Sequence, residues 1–126
     1  MVRFDTIMKK MEYNIMQRSV ESKQAERKLI TGYVFTKEVD GVLFSFGVDH
    51  RYEHTWIVTE LSSGTWISDG STRKYALENF ESRMSQLSEG AFTRARDCQI
   101  KQSGYANEFI GAYSDGPSPV SKLRLF

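Results

Sequence analysis

Six consecutive residues, Asp69-Gly70-Ser71-Thr72-Arg73-Lys74, hold the densest anion-binding chemistry in this 126-residue chain. They fall where a strand-like segment gives way to helical periodicity. A helix start offers unpaired N–H groups and a partial positive charge. The Ser71 and Thr72 hydroxyls add donors, and Gly70 lets a ligand come close to the backbone. Acidic residues ordinarily fill a helix's first turn, yet here Arg73 and Lys74 stand there, at a cost of about a few tenths of a kcal/mol per exposed cation. A phosphate or a partner's carboxylate would offset that cost. The bland alternative is an ordinary Ser/Thr cap beside solvated cations. The segment is no Walker loop, because the glycine spacing and the Gly-Lys-Ser/Thr order are missing. Gly70, Ser71, Thr72, Arg73 and Lys74 are the candidate ligand- or anion-binding residues.

The second cluster, Asp49-His50-Arg51-Tyr52-Glu53-His54, contains both histidines of the chain. Imidazoles four residues apart share a face only on a helix, whereas this stretch reads as a polar loop between strands. A metal would need ligands and second-shell support that nothing here identifies. His50, Arg51, Tyr52 and His54 are therefore candidate partner-contact residues, and no metal or other cofactor is expected. Catalytic signals are thin. Cys98 lies beside two cations in Arg94-Ala95-Arg96-Asp97-Cys98, but no nucleophile motif surrounds it and a partly buried inert thiol is expected. Ser62-Ser63-Gly64 lacks the Gly-x-Ser-x-Gly context of a hydrolase. The expectation is a protein that is not an enzyme.

These residues need elements to position them. Phe4, Ile7, Met8, Met11 and Ile15 recur at three- and four-residue spacing, which predicts an N-terminal helix capped at Asp5 or Thr6 and stopped by Gly32. Tyr33 to Glu38 reads as a strand, Asp40-Gly41 as a tight hairpin turn, and Val42 to Val48 as the return, with Val42, Phe44 and Phe46 on one side. Trp56 to Leu61 and Thr65 to Ser68 form a second hairpin around Ser62-Ser63-Gly64. A helix over about 72–88 places Ala76, Leu77, Phe80, Met84 and Leu87 on one face. Residues 91–113 fit either a short helix or an irregular strand, and Ser114 to Pro119 breaks regular structure. The fold class is α+β: an N-terminal helix, a four-stranded antiparallel meander, the helix at about 72–88 and an irregular C-terminal third. One domain over 1–126 is expected, with a helical arm at 1–31, a core at 32–113, and a Pro-containing linker and tail at 114–126.

Two Trp, eight Phe and six Tyr supply a core without disulfides, and the single cysteine fits a reducing compartment. No apolar run approaches the roughly 20 residues that span a bilayer. The first residues lack the apolar segment of a signal peptide. The expected location is the cytosol of a host cell, without membrane contact. The net charge of +1 hides a pattern: +3 over residues 1–30, −4 over 31–71 and +2 over 72–126. Sheet surfaces that bind nucleic acid interleave cations with aromatics, but here the aromatics lie among acids. A small nucleic-acid-binding regulator using the basic N-terminal helix is therefore the alternative. The tail from Val120 to Phe126 alternates like a short strand that completes its own sheet edge or crosses to a second copy as a homo-oligomer.

The run from Trp56 to Phe80 resembles the strand–turn–strand–helix unit of small accessory proteins of phages and prophages. It is also similar to HicB-type antitoxin domains, with Gly70 and Thr72 at their Gly-x-Thr and Ala76 and Asn79 at their Ala-x-x-Asn helix. The Pro-Gly turn that precedes the unit in those antitoxins is absent here. The resemblance covers about a quarter of the chain and implies a phage-type, non-catalytic inhibitor of a bacterial defence system. Such a protein either blocks a host defence protein or sequesters its phosphate-bearing nucleotide signal. The first would use the acidic sheet with the His50–His54 loop, the second Gly70 to Lys74 with an aromatic for base stacking.

Overall fold

The computed structural model describes residues 8–18, 20–21 and 23–107. Five antiparallel strands form one sheet in chain order: β1 (Lys9–Arg18), β2 (Ala25–Val39), β3 (Val42–Tyr52), β4 (Thr55–Glu60) and β5 (Thr65–Gly70). Two helices follow, α1 (Arg73–Ser85) and α2 (Ala91–Ser103). The architecture is α+β, but the expected N-terminal helix and four-stranded sheet are overturned. Within the expected helical arm, Lys9–Arg18 is β1 and the residues from Ala25 open β2, the two strands of a hairpin. Met11, Tyr13 and Ile15 alternate onto one face of β1, and pairing with β2 over Lys9–Arg18 outweighs the helix preference of the neighbouring Lys, Glu and Gln. Phe4, Ile7 and the Asp5/Thr6 cap lie outside the described residues, as do 108–126 with the expected linker and tail.

Two expected features, a turn and a helix, stand close to where the sequence pattern puts them. Asp40 and Gly41 both take positive φ, 52° and 79°, as a two-residue hairpin turn demands. The helix after Thr72 buries Ala76, Leu77, Phe80 and Met84. It packs its apolar stripe on β3–β5, and Phe35 of β2 joins Phe44, Phe46, Val48, Val58 and Ile67 to complete the main core. Phe46 meets Phe80 edge-on at 4.8 Å, and α2 adds Phe92 against Phe44 at 4.9 Å. Each fully buried aromatic side chain contributes about 1.5–3 kcal/mol.

β2 is long because it serves two ladders. Its first ten residues pair with β1 and its last seven with β3, overlapping only at Tyr33 and Val34. The sheet therefore curls, carrying the β1–β2 hairpin over the face opposite α1. There Tyr13, Ile15, Val34 and Leu61 form a second core. Tyr13 lies flat on β3 only because Gly47 has no side chain: a Cβ there would sit 2.6 Å from the Tyr13 ring.

Both outer edges of the sheet carry an asparagine lock. On β1, the Asn107 side chain accepts from Asn14 N at 3.0 Å and donates to Asn14 O at 2.9 Å and Leu61 O at 2.8 Å. On β5, Asn79 Nδ2 donates to Asp69 O at 2.8 Å. Unpaired strand edges invite foreign strands, and these contacts blunt both.

Candidate functional site

Register brings the two candidate clusters to one end of the α1-bearing face. His50 pairs with Trp56, and Trp56 pairs with Gly70. The histidine cluster is not a loop: β3 runs on to Tyr52, and only Glu53 and His54 make the turn. His50 stacks on Trp56 at 4.8 Å with its ring nitrogen 2.9 Å from Glu53 O. Tyr52 and His54 are exposed.

Arg51 does not join them. Strand alternation sends Asp49 and Arg51 to the face opposite His50. Arg51 grips Asp49 in a two-pronged pair at 2.7 and 2.8 Å and reaches Thr59 Oγ1 at 3.4 Å. Tyr13 donates its hydroxyl to Asp49 Oδ1 at 3.1 Å. Burial, reinforced by the Asp49 carboxylate, pushes the Tyr13 phenol far above its ordinary range. It stays a neutral donor, and this closed network welds the β1–β2 hairpin to β3. As a contact residue Arg51 is displaced: its side chain is spent inside the fold.

The helix-start cluster is also partly in internal service. A Cβ on Gly70 would fall 2.7 Å from the Tyr75 carbonyl carbon, so the glycine admits the chain's own helix to the strand rather than a ligand. Thr72 is the N-cap, its hydroxyl accepting from Tyr75 N at 3.1 Å. Ala76 N donates to Thr72 O. Arg73 lies over the Tyr33 ring at 4.9 Å. Ser71 and Lys74 remain on the surface. The four positions that carry the HicB-like pattern all serve this junction: Gly70 by clearance, Thr72 as cap, Ala76 in the core, Asn79 as edge lock.

Other sequence-level candidates resolve in the same way. Glu60, 1% exposed, accepts from the backbone N–H and hydroxyl of both Ser62 and Ser63, and those four bonds shape the turn. Cys98 is exposed on α2, not partly buried. Among the described residues, no cluster of three or more His, Cys, Asp or Glu side chains is placed to hold a metal, and no helix is long and apolar enough to cross a membrane. The basic N-terminal segment belongs to the sheet, so the sheet is not uniformly acidic. Lys9 and Lys10 at the open end of the β1–β2 ladder, and Arg27 and Lys28 near its turn, are all exposed.

What sequence reasoning missed is the flank where α1 overhangs β5. Trp66 is 50% exposed, Tyr75 54% and Leu87 41%, and Trp66 and Leu87 border one cleft together with Arg83. Trp66 and Leu87 were expected in the core. A register shift between Val58 and Thr59 leaves Ile67 and Ser68 both buried and turns Trp66 outward. Leu87 lies beyond the last turn of α1, which ends at Ser85. Between them stands Arg83, whose guanidinium has no hydrogen bond or ion pair among the described residues. Two clefts run in series along this flank. A polar one of about 250 Å³ is lined by Ser68, Asp69, Asn79, Ser82, Arg83 and Gln86. An apolar one of about 170 Å³ includes Trp66, Ile67, Arg83, Leu87 and Phe92. No family model, curated protein or solved structure matches the chain.

Proposed function

We propose that this chain is a non-catalytic binding protein that blocks another protein, with a bacterial defence protein as the target class its phage-type strand–helix unit suggests. The observation that carries the reading is the β5–α1 flank. Trp66 on β5, Tyr75 on α1 and Leu87 just past α1 are all exposed, and Arg83, unpaired among the described residues, borders the apolar cleft with Trp66 and Leu87. Tyr, Trp and Arg at the centre of a surface patch are the residue types that dominate protein–protein binding energy. A monomer gains nothing from exposing them together.

Sequestering a phosphate-bearing nucleotide is less well supported. Gly70 and Thr72 serve the helix junction, and Arg73 is held on Tyr33. Ser71 and Lys74 would be left to bind the anion. A nucleic-acid regulator built on a basic N-terminal helix loses its premise, since those residues are strands β1 and β2.

The test is a plating assay. The chain is expressed in bacteria that each carry one defence system and are challenged with a phage that system restricts. Plating should be restored in at least one host, and Tyr75→Glu combined with Trp66→Glu should remove the effect without lowering thermal stability. No restoration in any host, or full restoration by the double variant, would refute the reading.

A further inference from the structure

We infer that the apolar cleft between β5, α1 and α2 is an anchor pocket for a partner segment that presents a bulky apolar side chain beside an Asp or Glu. This rests on the protein-blocking reading and specifies its chemistry. The walls are fixed before any partner arrives. Phe92 is held edge-on against Phe44 at 4.9 Å, Ile67 is 8% exposed, and the Trp66 indole N–H is tied to Asp69 Oδ2 at 3.2 Å. The about 170 Å³ between them suits one large apolar side chain. An anchor entering pre-formed walls forfeits little ordering entropy.

Charge selects the neighbour of that anchor. Arg83 belongs to both clefts, and it is unpaired among the described residues. Among the described residues Asp69 is the one acid lining either cleft, and its Oδ2 is engaged by Trp66. A carboxylate next to the anchor therefore meets a free guanidinium in reach of two-pronged bonding. The chain's own segment 120–126 carries Lys122 and Arg124, cations that Arg83 repels. A second copy docking by a two-fold axis through this flank would set Arg83 against Arg83. Strand addition to β5 is opposed by the Asn79 lock on Asp69 O and by the register shift in the β4–β5 ladder. The occupant is held by side chains, not by an added ladder.

The probe is 3-phenylpropionate, an apolar ring with a carboxylate, titrated into the full chain and followed by NMR, with uncharged 3-phenylpropanamide as control. Saturable shifts should centre on the Trp66 indole and on Ala91 and Ala95. The carboxylate should bind about threefold more tightly than the amide, the size expected for one exposed charge pair. Arg83→Gln should abolish that preference while keeping ring binding, and Leu87→Asp should weaken both compounds. Both positions are exposed, so the variants fold. Shifts elsewhere, no shifts, or equal binding of acid and amide would overturn the pocket. So would shifts of these resonances on simple dilution, which would mean a second copy occupies the cleft. Shifts caused by Leu125→Glu with Phe126→Glu would mean the chain's own end does, and would overturn it too. Failure here with plating still restored removes only the anchor, whereas failure to restore plating removes the blocking reading itself.

Discussion

Replacing Tyr13 by Phe tests the network that holds the curled hairpin to the sheet, and it carries a pH signature few other changes would copy. The substitution deletes one hydroxyl, 1% of whose residue is exposed, and one bond of 3.1 Å to Asp49. Asp49 keeps its two-pronged pair with Arg51, so the loss lies at the low end for a hydrogen bond to a charged group, about 1.5 kcal/mol at neutral pH. The sign of the pH effect follows from the raised phenol. In the unfolded chain Tyr13 ionises near pH 10, and in the folded chain burial and Asp49 hold it protonated far beyond that. The unfolded state therefore sheds a proton that the folded state keeps. Stability from Tyr13 is complete below about pH 10 and then declines by about 1.4 kcal/mol per pH unit. Urea unfolding of wild type and Tyr13→Phe at pH 7, 10 and 11 reads this directly. The variant should be less stable by about 1.5 kcal/mol at pH 7, and the gap should close by about pH 11. An equal gap at pH 7 and pH 11 would refute the buried, neutral phenol.

Three further changes probe the packing. Gly47→Ala should cost about 1–3 kcal/mol in urea unfolding, because its Cβ would meet the Tyr13 ring at 2.6 Å, and should cost much less in a Tyr13→Ala background. Asn107→Ala removes three hydrogen bonds from a residue 2% exposed and should lower stability by about 2–4 kcal/mol; a loss under half a kcal/mol would mean the β1 edge does not need it. Ser45 is fully buried with no partner for its hydroxyl among the described residues, so Ser45→Ala should be neutral or stabilising by up to about 1 kcal/mol in the same assay, and clear destabilisation would contradict it.

The middle of the fold was legible because its signals agree with one another. Asp40-Gly41 sits between two alternating runs, and Ala76, Leu77, Phe80 and Met84 share a helical face bounded by the Thr72 cap. The N-terminal third misleads because Met8, Met11 and Ile15 fit a helical stripe while Met11, Tyr13 and Ile15 fit a strand equally well. Tyr13 decides between them, and only its tertiary contacts with Gly47 and Asp49 reveal it. Gly32 reads as a helix stop, yet it lies inside β2, where a Cβ would press on Val48 O at 2.7 Å. The pairing of His50 with Trp56 and of Trp56 with Gly70 depends on register, which spacing along the chain does not specify. The β5–α1 flank stayed hidden for a related reason. A one-residue irregularity in the β4–β5 ladder turns Trp66 from core to surface, and no local pattern announces it.

Native mass spectrometry of the chain taken directly from expressing cells tests the central claim most directly. Wild-type chain should carry a stoichiometric protein partner, and Trp66→Glu with Arg83→Glu should release it while leaving the chain folded. A wild-type chain that instead retains a nucleotide, or a partner still held by the double variant, would contradict it.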